Sequence, residues 1–309
     1  MIQSAYLAPE GLEATLTEEL RRAGVAIIAW HGRLALSAQP PVPSAWALDV
    51  WTAPREIEIG SIKSAADALR AMQRNWQAYG VEHHRRMALI TERLPPVRAK
   101  KRVFPEPAPA AHLGAWTLLA PDRLLASPTK TSPFVNGECL FEEDRVGPPS
   151  RAYLKLWEAL TRLGAWPQPG ETCLDLGASP GGWTWALAQL GARVTAIDRA
   201  ELDPRAAALP NVTWREGSAF TLPPEPVDWL VCDVIAYPDK LLALVQTWVA
   251  SGLAGRIVCT IKFQGETDHE AAAAFTAIAG GRVMHLFHNK HELTFVWAAP
   301  QAGGHFAAR

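Results

Sequence analysis

Apolar and polar positions follow one rhythm in the first half of the chain and another in the second, with the change near residue 150. Before it, apolar runs are short and turn residues frequent. Residues 4–8 read as a strand; Pro9 then occupies a natural first helical position, with Leu12, Leu16 and Leu20 spaced by four along a helix that Gly24 ends. Residues 25–30 and 33–37 flank His31-Gly32 as a hairpin, and 46–52 and 57–59 are weaker strand candidates. Ala65, Leu69, Met72 and Trp76 form one stripe and predict a helix over 64–79. Five prolines between residues 95 and 109 make an irregular connector, and 113–119 with 123–126 read as a second hairpin.

After residue 150, helices alternate with buried strands. Tyr153, Leu156, Trp157, Leu160 and Leu163 stripe a helix over 152–163, and Leu241, Leu244, Val245 and Trp248 stripe another over 238–250. The apolar runs 173–176, 193–197, 212–214, 229–232 and 256–261 fit strands covered on both faces, the pattern of a parallel sheet between helix layers. Runs 283–287 and 293–298 are too close for a crossover helix, so they must pair antiparallel. The expected fold class is α/β: a Rossmann-like, mostly parallel sheet with a terminal antiparallel strand over 150–309, preceded by a smaller α+β domain over 1–149.

Composition changes this picture little. The 309 residues are 49% hydrophobic and 20% charged, which is globular and ample for two cores. Cys139, Cys173, Cys232 and Cys259 make no Cys-x-x-Cys pair and read as buried thiols of a reducing compartment. Pro9, Glu10 and Glu13 interrupt any signal-peptide pattern, and the charge-free stretch 241–255 has fifteen residues, short of the ~20 that span a bilayer. A cytoplasmic location is therefore expected. Net charge is −1, but residues 85–102 hold seven cations, Arg85, Arg86, Arg93, Arg98, Lys100, Lys101 and Arg102, against the single acid Glu92. A phosphate backbone would be attracted there; a solvated helix face running into a loop is the plainer reading.

Candidate chemistry centres on residues 174–185, Leu-Asp-Leu-Gly-Ala-Ser-Pro-Gly-Gly-Trp-Thr-Trp, where a strand runs through a glycine turn into a helix. Gly177, Gly181 and Gly182 permit positive φ and close approach to bare backbone, and Pro180 stiffens the turn. Asp198 ends the next strand, where a carboxylate could take both hydroxyls of a ribose. Neither Gly-x-Gly-x-x-Gly nor Gly-Lys-Ser/Thr is present, which disfavours dinucleotides and nucleoside triphosphates and leaves S-adenosylmethionine as the better cofactor. In such a sheet, ligands bind beyond the carboxyl ends of the strands. Asp175, Asp198, Asp233 and Lys262 end strands there, and Glu292 opens the antiparallel one. Lys262 would suit general-base work, or steering of a hydroxyl, with Asp233 and Glu292 holding its ammonium. Periodicity puts Lys155 opposite the apolar stripe of its helix, the default place of a solvated lysine.

Residues 150–156, 174–185, 231–233, 261–262, 286–288 and 292–294 together resemble the FtsJ-type RNA ribose 2′-O-methyltransferases, closest to the bacterial large-subunit ribosomal RNA methyltransferase M group. The resemblance implies a catalytic tetrad at Lys155, Asp233, Lys262 and Glu292. It implies cofactor contacts at Ser179, Pro180, Gly181, Gly182, Asp198, Ser218 and Asp233, beside which Gly177 and Trp183 stand in the same turn. Ser218 occupies a position where the family carries an aspartate, and Ala152 one where it carries a serine. Residues 6–23 and 132–134 are similar to stretches of the family's amino-terminal region, which holds an RNA-binding THUMP domain, here shortened. The implied partner is RNA, with no membrane and no metal, and the chain is expected to act as a monomer. A methyltransferase for a non-RNA substrate would have no use for the basic segment, and an RNA-binding protein with a retired domain would not bind the cofactor.

Three further features carry less. His285, His288 and His291 recur at steps of three, but in a strand such steps alternate faces, against a metal site. Most of the thirteen tryptophans fall in apolar runs and read as core, with Trp183 the one kept as a cofactor or helix-packing contact. Ser179 lacks the Gly-x-Ser-x-Gly setting of a hydrolase nucleophile.

Overall fold

A computed structural model describes residues 1–300. The final nine positions of the expected 150–309 domain lie outside the described residues. The chain divides into two compact units, Met1–Arg102 with Ala108–Leu140, and Val103–Pro107 with the residues from Phe141 onward.

In the first unit, β1 (Ser4–Leu7), α1 (Glu13–Arg22), β2 (Ile27–His31), β3 (Leu34–Ser37) and β4 (Asp49–Trp51) give an antiparallel sheet of order β2-β3-β1-β4. Pro9 does not open α1. Gly11 takes φ +76 between them, so the helix begins only after Leu12 and Pro9 accepts from Leu12 in a preceding turn. A second sheet of order β5-β8-β7-β6 is made by β5 (Arg55–Glu58), β6 (Trp76–Ala78), β7 (Gly114–Ala120) and β8 (Arg123–Ser127), with α2 (Ile62–Met72) and α3 (His84–Thr91) between its strands.

The expected helix over 64–79 is thus a helix and a strand. Ser61 and Ser64 close a capping box that starts α2 at Ile62, and Gln73 turns fully extended after Met72. Trp76 leaves the helical stripe to pair beside Gly114 in β6, while its indole N–H bonds back to the Leu69 and Gln73 carbonyls at 2.9 and 3.0 Å. The same ring thus seals the end of α2 and still fills the core with Leu69 and Trp116. Lys130 and Asp49 pair at 2.8 Å with side chains 1% and 0% exposed, a buried ion pair joining chain segments 81 residues apart.

The second unit is a seven-stranded sheet of order β11-β10-β9-β12-β13-β15-β14. Its elements are α4 (Tyr153–Leu163), β9 (Thr172–Leu176), α5 (Gly182–Gln189), β10 (Arg193–Asp198), α6 (Pro204–Ala207), β11 (Val212–Glu216), β12 (Val227–Cys232), α7 (Pro238–Ser251), β13 (Ala254–Lys262), α8 (His269–Thr276), β14 (Gly281–Met284) and β15 (Glu292–Ala298). β9 to β13 run parallel and β15 pairs antiparallel with both β13 and β14. This is the expected Rossmann-like sheet with its antiparallel strand, after a smaller α+β unit. β14 lies earlier than the apolar run suggested, because its ladder ends at Met284↔Thr294 and residues 285–291 leave the sheet in a turn. Chain order reverses between β10 and β12 on either side of β9, which opens a crevice at their carboxyl ends.

Candidate active site

Into that crevice opens a cavity of about 340 Å³, lined by Ser150, Ala152, Asp175, the glycine turn, Asp198, Asp233, Val234, Ile235 and Lys262. Small-molecule pockets begin near this size, at roughly 300 Å³. Of the expected cofactor residues, Gly177, Ser179, Pro180, Gly182, Trp183, Asp198 and Asp233 are in its wall. Gly181 and Ser218 are not among the lining residues. Gly181 is the N-cap of α5 at φ +107, where a Cβ would lie 2.7 Å from that of Ala206. Ser218 turns its hydroxyl back to the Phe220 amide at 3.3 Å.

The glycines serve internal packing as much as ligand approach. At Gly177, φ is +74 and an added Cβ would stand 2.8 Å from Val234. The turn after β9 can therefore lie directly against the loop after β12, and this brings Asp233 to the cavity. Trp183 acts as a helix-packing contact, its indole N–H donating to the Ala152 carbonyl at 2.8 Å and tying α5 to the start of α4.

Two carboxylates give the cavity its acceptors. Asp198 takes the Ser179 amide on Oδ2 and the Ala200 amide on Oδ1, both at 3.0 Å, which fixes its plane and leaves a lone pair on each oxygen. Asp175 is fully buried, with Oδ2 accepting from the Thr184 hydroxyl at 2.6 Å and Oδ1 without a hydrogen-bond partner among the described residues. Burial, aided by the negative charges of Asp233 and Asp198, pushes its pKa up to about 7 against the Thr184 hydrogen bond. An orphaned buried oxygen in the wall calls for a donor from a ligand. A bound group with ribose hydroxyls for Asp198 and a donor for Asp175 fits these residues.

Asp233 and Lys262 of this wall belong to a set of four charged side chains that meet from α4, the end of β12, β13 and β15. Lys155 Nζ lies 2.9 and 3.0 Å from the two oxygens of Asp233 and 3.1 Å from Glu292. Lys262 Nζ stands 3.1 Å from Asp233 Oδ1 and also donates to the Asp233 carbonyl. Lys262 and Glu292 are register partners across β13 and β15, yet the Glu292 carboxylate pairs with Lys155. The solvated position that periodicity gave Lys155 is wrong. Every residue of α4 from Tyr153 to Thr161 is buried, with Lys155 9% exposed, because its apolar stripe packs into an aromatic cluster and its opposite face covers the strand ends. Trp157 anchors that cluster, stacked on Phe104 at 4.9 Å and edge-on to Tyr153 at 4.6 Å.

Glu158, three residues after Lys155 and fully buried, was missed by pattern reading. Its carboxylate pairs with Arg162 at 2.8 Å and accepts from the Phe287 and His288 amides at 3.0 Å each, pinning to α4 the turn that delivers Glu292. Glu158 shares with Lys155 the face opposite the apolar stripe, where a charge reads as solvated, so periodicity carries no signal of its burial. In the same turn, His285 lies beyond β14, not within a strand, and hydrogen-bonds the Lys290 carbonyl at 2.9 Å; burial pushes its pKa down to about 4. His288 stacks on Phe141, and His291 meets Thr267 at 2.6 Å. Among the described residues, no group of three or more His, Cys, Asp or Glu is arranged to hold a metal ion.

Within the first unit, the basic segment begins on α3 with Arg85 and continues into the connector. Arg98, Lys100 and Arg102 line a second cavity there of about 290 Å³, together with Phe134 and Glu138. No helix of the described residues is long and apolar enough to cross a membrane.

Comparison with known proteins places these features. Ribosomal RNA large subunit methyltransferase M of Alkalilimnicola ehrlichii is 37% identical over 169 residues, 50% of this chain and 47% of that protein. Its namesake in Halorhodospira halophila is 41% identical over 155 residues, 47% of this chain and 46% of that one. The chain spans about half the length of the curated relatives it matches. Among solved structures, a Methanococcus jannaschii fibrillarin pre-rRNA processing protein aligns with 47% of this chain and 74% of its own at 19% identity and a TM-score of 0.34. The family model described as FtsJ-like methyltransferase matches residues 148–295, from just before α4 into β15, a range that encloses the cavity and all four clustered charges.

Proposed function

We propose that this chain transfers the methyl group of S-adenosylmethionine to a ribose 2′-hydroxyl of RNA, in large-subunit ribosomal RNA, acting as a monomer in the cytoplasm. The observation that carries this reading is the set of two lysines held by two carboxylates at the wall of an adenosine-compatible cavity. S-adenosylmethionine, when bound, supplies an electrophilic methyl on a sulfonium. Asp198 would receive its ribose hydroxyls, Asp175 a donor, and the backbone of Gly177 to Gly182 would line its path.

The four charged residues divide the remaining work. Two of the three N–H groups of Lys262 are taken by the carboxylate and carbonyl of Asp233, which fixes Nζ in direction. Nζ orients the 2′-hydroxyl oxygen for in-line attack and, in its neutral form, takes up the proton as the new bond forms. Lys155 bridges Asp233 and Glu292 and holds the acceptors in place. Most of the rate comes from position, because the hydroxyl is held at near-attack distance rather than found by diffusion. The amino-terminal unit, read as a shortened THUMP-like region, and the cations of residues 85–102 hold the RNA backbone.

Lys262→Ala is the direct test. The variant is expected to bind S-adenosylmethionine by calorimetry as the unaltered protein does, while labelled methyl transfer to RNA drops by roughly 10²- to 10⁴-fold, the usual share of a proton-handling residue. Near-normal transfer would remove Lys262 from the mechanism, and failure of the unaltered protein to bind the cofactor would favour a retired domain.

A further inference from the structure

Two large apolar side chains stand exposed immediately after the charge cluster. Ile235 is 77% exposed and Tyr237 66% exposed, two and four residues beyond Asp233. Ile235 is in the cavity wall with Lys262, so the apolar surface begins at the lip of the site itself.

The backbone holding Tyr237 is fixed even though its ring is in solvent. Tyr237 is the N-cap of α7 at φ −64 and ψ 144, Pro238 follows in the first turn, and the Tyr237 carbonyl accepts from Lys240 and Leu241 at 3.1 and 3.3 Å. Helices favour Ser, Thr, Asp or Asn at this position, where a side-chain oxygen can bond the free amides of the first turn. Here the position goes to an aromatic residue whose side chain makes no capping bond. The helix forgoes a polar cap and presents an exposed ring on a fixed backbone four residues beyond Asp233.

We infer that Tyr237, with Ile235 at its side, is the platform on which the base of the target nucleotide stacks. This rests on the proposed RNA 2′-hydroxyl reaction. A nucleotide whose 2′-hydroxyl reaches Lys262 must place its base within one sugar's length of that atom. The base has two π faces that lose their neighbours when it leaves a helix or a stacked strand. An aromatic ring with aliphatic surface next to it replaces one of those neighbours without reading sequence. Tyr237 thereby sets how tightly the acceptor nucleotide is held, while the charge cluster acts on its ribose.

The test is steady-state methyl transfer to an unmodified large-subunit ribosomal RNA transcript. Tyr237→Ala should raise KM for the RNA by roughly 5- to 100-fold, the span of base–aromatic stacking. Affinity for S-adenosylmethionine should be unchanged by calorimetry, and Tyr237→Phe should restore the KM. Tyr237→Leu, which keeps apolar bulk but no ring, should resemble the alanine variant and serves in its place if alanine disturbs cofactor binding. A KM within twofold of the unaltered protein in the alanine and leucine variants, or no rescue by phenylalanine, overturns the platform. If the unaltered protein itself transfers no methyl to the RNA, the underlying reaction is what fails.

Discussion

Asp175 shows how much a single buried carboxylate can govern. Its ordinary value of 3.8 rises to about 7 because burial in the folded protein disfavours its charged form, and one oxygen has no donor among the described residues. The folded state therefore binds a proton between those values that the unfolded state has released, so this residue's contribution to stability is full below about pH 4 and is lost as pH rises through 7. Asp175→Asn should remove that dependence. Thermal unfolding of the cofactor-free protein is expected to show the asparagine variant gaining on the unaltered protein from pH 5 to pH 8, by on the order of a few kcal/mol at the upper end. Parallel pH profiles would contradict the burial argument. Asp198 and Lys262 were legible as residues because each ends an apolar run. Lys155 was not, since periodicity reports which face of a helix is apolar and cannot report that both faces are covered. Only similarity to a family pointed there, and tertiary packing gives the physical reason.

At the scale of elements, the parallel strands and their helices stood out because a strand buried on both faces leaves a continuous apolar run. Where the reading failed, a local pattern was interrupted by backbone geometry. Gln73 extends the chain and turns a helical stripe into a helix plus β6; Gly11 delays α1 beyond Pro9. The end of β14 was equally hidden, since the anchor for the turn that follows it is Glu158, 129 residues from Phe287. The start of α5 is the element on which the site depends most. Gly181 holds φ +107 with Ala206 directly above it, so Gly181→Ala both strains the backbone and collides with α6. A loss of about 1–3 kcal/mol in unfolding free energy is expected, read by denaturant titration, together with weaker cofactor binding. An unchanged midpoint would show that the turn tolerates a side chain.

For the molecule as a whole, the proposed division of labour rests on chemistry placed in separate units. The cations of residues 85–102 sit in the first, and the cavity with its charge cluster in the second. The basic segment was visible as a charge run, but the cavity that Arg98, Lys100 and Arg102 share with Phe134 needed the fold to bring residues from two stretches together. The central claim is that the second unit methylates the oxygen of a ribose, and the product decides it. Unmodified large-subunit ribosomal RNA would be incubated with the protein and methyl-labelled S-adenosylmethionine, digested to nucleosides, and separated by mass spectrometry. The account predicts label on a 2′-O-methylated nucleoside, lost with Lys262→Ala; label on a base, or none on RNA while the cofactor binds, would contradict it.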